Sequence, residues 1–170
     1  MTKQYLLGAL HDATIRKMTY RIGAKDFSYV RLIKSGLEKL GHKAWIYMEG
    51  KMRNYYIVEF VKSALHGVKI KSRQNKLDYI QGYFDTDGGL ARSRRVRYYI
   101  YFAQKSKKDL MQLMDYLTEF GIQCGQIHNP SRSKDPDYWR FYIKAESYKK
   151  FANIIGSLHP VKSEYLRVKI

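Results

Sequence analysis

Tyr79-Ile80-Gln81-Gly82-Tyr83-Phe84-Asp85-Thr86-Asp87-Gly88 decides the fold, because the chain holds this pattern twice. Tyr5-Leu6-Leu7-Gly8-Ala9-Leu10-His11-Asp12 repeats its features in order: an aromatic start, an apolar run broken by one glycine, and an acidic end, with Gly8 and Gly82 offset by 74. Working outward, Ile33, Leu37, Leu40 and Gly41 recur as Leu113, Leu117, Phe120 and Gly121 at an offset of 80. Leu65-His66-Gly67-Val68-Lys69 recurs as Leu158-His159-Pro160-Val161-Lys162 at an offset of 93. Self-similarity with preserved order marks a duplicated architecture. The growing offset predicts insertions in the second copy, as lengthened loops around 88–97 and 128–138.

Each copy has the same periodicity. Residues 3–12 and 76–86 are short apolar helix candidates. Residues 26–40 space Phe27, Val30, Ile33, Leu37 and Leu40 three to four apart behind Asp26 as N-cap and before Gly41 as C-terminal stop, and 108–120 repeat that pattern. Strands are expected at 20–22, 43–49, 55–60, 96–103, 122–127 and 138–144, and closing helices at 61–66 and 147–158. The chain therefore reads as an α+β fold, αββαββα in duplicate about a pseudo-two-fold axis, with halves 1–74 and 75–170.

The 170 residues include 32 Lys and Arg against 15 Asp and Glu, a formal charge of +17. Both halves share it, with 15 basic and 5 acidic residues before residue 75 and 17 and 10 after. With 45% hydrophobic and 15% aromatic residues and only three prolines, the charge sits on a folded object and not on a disordered tail. Such an excess calls for a polyanionic partner. The single Cys124 excludes an internal disulfide framework and a cysteine-based zinc cluster. No apolar run approaches the ~20 residues of a membrane span, and the N-terminal apolar stretch is interrupted by His11 and Asp12. A cytoplasmic chain with neither anchor nor cleaved signal is expected, nucleoid-associated when bound to DNA.

Two glycine-bearing helices, one per half, are expected to cross at Gly8 and Gly82, where absent side chains let backbones approach. Asp12 and Asp87 then fall at the helix C-termini near the axis. A carboxylate is disfavoured there by the helix dipole and by its twin, and a hard divalent cation such as Mg²⁺ relieves both. In a basic, pseudo-symmetric protein that pair points to phosphodiester hydrolysis. Asp-Thr-Asp-Gly-Gly is equally a helix-ending turn of purely structural use. An EF-hand loop fits poorly, since its twelfth position counted from Asp85 is Val96 and not Glu.

With Gly82, Asp85, Asp87 and Gly88 at matching positions, residues 80–88 resemble the LAGLIDADG motif of homing endonucleases, and residues 6–13 resemble a degenerate first copy. The resemblance covers essentially the whole chain and is closest to compact, single-chain, two-motif enzymes encoded in archaeal introns. It implies a monomer needing no protein partner, with two central motif helices and a saddle of antiparallel strands on double-stranded DNA. It also implies metal binding by Asp87 and its first-copy counterpart Asp12, and a basic residue near each cleaved phosphate, for which Lys69 and Lys162 are the candidates. Mg²⁺ is expected to support cutting and Ca²⁺ binding alone. Intron RNA is an alternative partner, on a maturase reading, and a non-catalytic DNA-binding regulator is a further one. Asp85 is expected to be structural, and His66 and His159 to be helix C-caps.

Strand alternation turns Ile22, Ala24, Ala44, Ile46, Met48, Val96, Ile100 and Phe102 to the core and their neighbours to the partner. The expected base readers are Arg16, Arg21, Lys43, Arg53, Arg97, Tyr99, Gln104, Gln126, His128 and Arg140, with Lys25 outward beside them. Arg92, Arg94 and Arg95, and Arg132 and Lys134, lie in loops expected to follow phosphates. Unequal insertions predict an asymmetric target.

Overall fold

The computed structural model describes residues 1–50, 54–91, 93 and 95–169, with side chains as far as Arg167. Arg53, Arg92 and Arg94, three of the expected DNA contacts, lie outside the described residues.

The first motif helix, α1 (Lys3–Ala9), starts at Thr2, whose hydroxyl accepts from the Tyr5 amide. The second, α3 (Arg73–Asp87), starts at Ser72 in a reciprocal capping box with Asn75. The two helices cross where the repeat predicted. A Cβ on Gly8 would run into Tyr79 O and Tyr83 N, and one on Gly82 into Tyr5 O and Ala9 N. These pairs are related by the same offset of 74 as the glycines, so the sequence repeat reappears as a spatial two-fold.

Each half builds one antiparallel sheet backed by an amphipathic helix. In the first half β1 (Thr14–Ile15), β2 (Thr19–Ala24), β3 (Ala44–Met48) and β4 (Tyr56–Val61) form a sheet in the order β1-β2-β4-β3. The helix α2 (Phe27–Lys39), capped by Asp26 and ended by Gly41 at φ 81°, buries Val30, Ile33 and Leu37 against it. In the second half β5 (Gly88–Leu90), β6 (Ile100–Gln104) and β7 (Trp139–Tyr142) are covered by α4 (Lys107–Glu119) through Leu110, Leu113 and Leu117. Ile22, Val58, Ile100, Phe102 and Phe141 are buried, so the alternation was read on the right face. Met48 and Val96 are about half exposed and correct it: Met48 ends an edge strand, and Val96 precedes β6, which starts four residues later than expected.

The second half departs further from its expected form. Residues 122–127 form no strand, only isolated bridges of Cys124 with Ile143 and, beyond that range, His128 with Arg140. The closing helix of the first half is a 3-10 turn, Lys62–Leu65. That of the second is α5 (Tyr148–Ile154), followed by an unexpected α6 (Pro160–Lys169) that Pro160 begins at the position where a missing N–H costs nothing. His159 therefore precedes a helix instead of ending one. Ile22 pairs with Val58 and Phe102 with Phe141, which puts β4 and β7 at an offset of 83. The offset thus grows by only 3 from 80 up to β7 and by 10 after it, in the stretch that holds α5. Among the described residues no helix is long and apolar enough to cross a membrane.

The crossing yields a stability prediction. Gly82→Ala forces the two motif helices apart and is expected to cost about 3 kcal/mol in urea unfolding, at the high end for overpacking. Gly125→Ala, whose new Cβ would meet only Tyr142 O at 3.6 Å, is expected to stay within about 1 kcal/mol of the parent.

Candidate active site

The crossing delivers both motif aspartates to one place. Asp87 is the last residue of α3. Asp12 ends a 3-10 turn, Leu10–Asp12, that continues α1. This turn resolves the unequal spacing of the motifs. Gly82 to Asp87 makes five α-helical steps, about 7.5 Å of rise, whereas Gly8 to Asp12 makes four, of which the last two rise about 2.0 Å each and bring the total to about 7 Å. A missing residue is compensated by a tighter, longer-pitched turn.

Burial raises the Asp12 carboxyl pKa, with the Lys162 charge acting against it. Burial first, and the Asp12 charge second, push Asp87 up to about 7, again opposed by Lys162. The two acids are therefore coupled, each partly withdrawn from water and each resisting ionisation of the other. Asp85, two residues back, is buried as structure. It accepts from Tyr5 OH at 2.6 Å, from the Leu158 and His159 amides at 2.9 and 3.1 Å, and from Ser157 Oγ. Its four donors come from α1 and from the segment before α6, so this carboxylate ties the motif crossing to the C-terminal helix.

Lys162 is almost fully buried, and Nζ donates to Phe84 O (2.6 Å), Asp85 O (3.0 Å) and Gly88 O (2.6 Å). Those carbonyls end α3, where a helix leaves acceptors unpaired and partial negative charge accumulates. The expectation of Lys162 beside the site is met in position. Its three ammonium donors are met by backbone, so it acts here as a fixed counter-charge to both aspartates. Lys69 is not brought to the site. It is exposed and precedes α3, and its carbonyl accepts from Gln4 at the start of α1. Fifteen helical residues, about 22 Å, separate that end of α3 from Asp87.

Gln104, expected among the base readers, belongs to this site instead. Its Nε2 lies 3.3 Å from Asp87 Oδ2 and 3.2 Å from His11 O, bridging the ends of the two motifs, and Oε1 accepts from the Lys105 amide at 2.7 Å. The pairing of Gly88 with Phe102 sets the end of β6 beside the end of α3. His11 Nε2 lies 2.5 Å from Tyr79 OH, and its Nδ1 3.7 Å from Asp109. Burial lowers the His11 pKa, and Asp109 opposes that shift. Beside the aspartates a cleft of about 440 Å³ is lined by Asp12, Lys25, Tyr29, Tyr55, Tyr101 and Lys162 among others.

Among the described residues no three His, Cys, Asp or Glu side chains gather as a metal-binding group. The donor set is two carboxylates of raised pKa, which suits a hard divalent cation that keeps water or substrate oxygens as its other ligands. Of the other expected DNA contacts, Arg16, Lys25, Lys43, Arg95, Arg97, Gln126, His128, Arg132 and Lys134 are exposed. Tyr99 is half-buried against the Tyr101 and Tyr142 rings. The Arg140 guanidinium donates to Tyr142 OH (3.1 Å) and Tyr138 OH (2.6 Å), with Cζ 4.5 Å from the Tyr101 ring centre.

Residues 74–156 match the family model described as "LAGLIDADG-like domain". The second half of the chain is thus similar to a LAGLIDADG-like domain. Its fold is that of I-DmoI in complex with DNA and Mn, at TM-score 0.65 and 17% identity over 91% of this chain and 95% of that one. I-DmoI in complex with DNA and Ca aligns at TM-score 0.68 and 16% identity, over 98% and 96%. The N-terminal LAGLIDADG domain of DUF199/WhiA aligns at 0.71 and 16%, over 91% and 80%. No curated protein matches the sequence.

The Asp87 carboxyl fixes a pH dependence. A carboxyl whose folded pKa stands above its unfolded value near 3.9 favours the fold when protonated. The penalty of ionising it in the fold is absent below about pH 4 and grows as pH rises toward about 7. Metal-free Asp87→Asn is expected to unfold with the parent at pH 4 and to exceed it by about 2 to 4 kcal/mol at pH 8, as read by urea melts across that range.

Proposed function

We propose that the chain is a site-specific, divalent-metal-dependent endonuclease that cuts both strands of duplex DNA at a long, asymmetric site, as in intron homing. The observation that carries this is the coupled pair of an exposed Asp12 and a half-buried Asp87 at the two-fold axis between two sheets of a +17 protein. Structural relatives solved with DNA and with Mn, Ca or Mg support it. Asp12 and Asp87 would hold Mg²⁺, which supplies water activation and charge neutralisation at the leaving oxygen. Lys162 holds the end of α3 and keeps the aspartates ionisable, and Gln104 fixes the Asp87 carboxylate against the first motif. The exposed cations of both halves supply affinity through phosphates. The protein would act as a monomer, since one chain carries both motifs.

A second reading is favoured by the likeness to DUF199/WhiA, which is at least as close in fold as that to I-DmoI. On it the chain binds DNA without cutting, as a regulator.

Cleavage of a plasmid carrying the junction left by deleting the insert that encodes the chain separates the two. A staggered double-strand cut in Mg²⁺, with binding but no cut in Ca²⁺, is the expected result. Asp87→Asn and Asp12→Asn should each keep binding within about threefold and lose double-strand cutting by at least a hundredfold, about 3 kcal/mol of transition-state stabilisation. Normal cutting by Asp87→Asn overturns the assignment. Binding with no cut by the parent selects the regulator, and binding to intron RNA alone selects a maturase.

A further inference from the structure

The first sheet carries, on the face away from α2, an arginine whose charge is offset by two carboxylates, unlike most cations of this +17 protein. Arg21 on β2 and Glu59 on β4 are direct cross-strand partners, on positions alternating with the buried Ile22, Val58 and Phe60. Thr19 Oγ1 donates to Glu59 Oε1 at 2.6 Å, and Tyr47 OH to Oε2 at 2.5 Å. These two bonds, Thr19 first, hold the Glu59 carboxyl below its usual range. The Arg21 guanidinium lies over the Tyr47 ring, with Cζ 5.2 Å from the ring centre. It sits between two carboxylates, with Nη2 3.5 Å from Glu49 Oε1 and Nε 3.6 Å from Glu59 Oε2, and its side chain is 12% exposed.

Those separations attract but are too long for hydrogen bonds, and Arg21 Nε is buried with no hydrogen-bond partner. The guanidinium is therefore held by charge and ring contact and not by hydrogen bonds to either carboxylate. Arg16 also acts on Glu59, so the two carboxylates cancel the cations around them, and a phosphodiester gains no net attraction there while it must meet both carboxylates. A neutral base edge carries no such penalty. In the major groove only guanine offers two acceptors, O6 and N7, to the planar fork. Adenine offers one acceptor beside a donor, thymine a single acceptor and cytosine a donor.

Resting on the reading of the chain as a sequence-specific duplex binder, we propose that Arg21 reads one guanine in the half of the target under the first sheet, and that Glu59 is the positioning residue that holds the guanidinium and offsets its attraction for phosphate. Glu59 acts through Arg21, so its loss relaxes the base pair that Arg21 reads.

Selection from randomised duplex oligonucleotides in Ca²⁺, with sequencing of the bound fraction, tests this for the parent, Arg21→Lys, Glu59→Gln and Tyr47→Phe. Arg21→Lys keeps the charge and loses the fork. Tyr47→Phe frees one Glu59 oxygen without touching any charge. The expected result is a parental consensus from which all three variants lose preference at the same single G·C pair, Tyr47→Phe least. On the consensus duplex Arg21→Lys should weaken binding about 5- to 150-fold with an unchanged salt slope. A consensus kept at every position by Arg21→Lys and Glu59→Gln overturns the proposal and leaves sequence-specific binding intact. Uniform weakening on all sequences with a shallower salt slope marks a phosphate contact and also overturns it. A parent that selects no consensus overturns the underlying reading, and the proposal with it.

Discussion

Backbone meets backbone where Gly8 passes Tyr79 and Gly82 passes Tyr5. Any side chain at either glycine would separate the helices, and with them the aspartates that end the two motifs. The site is thus built by subtraction, since two missing Cβ atoms set the spacing of two carboxylates little more than one turn away. The Asp85 clamp extends the same constraint. Donors from Tyr5, Ser157 and the amides of Leu158 and His159 converge on one buried carboxylate, so the crossing, the second motif and the start of α6 move as a unit.

That rigidity has an electrostatic cost. Two acids approach each other at helix ends, in a partly buried cleft, and both resist ionising. Lys162 offsets the cost from within the protein by placing one ammonium on the carbonyls of the α3 terminus, close enough to lower both carboxyls. The compensation is incomplete, because Asp87 still stands near 7. A residual affinity for positive charge at the axis is what a divalent-ion site requires.

Much of this was legible in the chain, for identifiable reasons. The motif repeat, the amphipathic spacing of α2 and α4 and the alternation around Ile22 and Phe102 are local patterns, set by periodicity and caps. The places of Lys69 and Gln104 depend on which end of a helix or strand meets which, and no local pattern carries that. The Leu-His-x-Val-Lys repeat is real in sequence, yet its first copy leads into the start of α3 and its second opens α6, so equal residues reach unequal places. The strand register likewise puts Gln104 where the first half has Ala24, so the amide that braces Asp87 has no counterpart beside Asp12. The helix at 147–158 is legible, but its extra residues are not separable from the 128–138 loop, because an offset between repeats reports how many residues were added and not where.

The two halves diverge most on the faces that periodicity leaves free. Arg21 stands between Glu49 and Glu59, whereas Arg140 donates to the hydroxyls of Tyr138 and Tyr142 and lies over Tyr101, which the register places at the position of Arg21. A guanidinium flanked by carboxylates has its charge offset toward phosphate and still suits a base edge. One surrounded by neutral hydroxyls accepts either. Net charge draws a polyanion to both sheets alike, and these local differences decide what each sheet can distinguish once it arrives. Duplication supplies the symmetry that pairs the aspartates, and selectivity requires that the symmetry stop at the sheet surface.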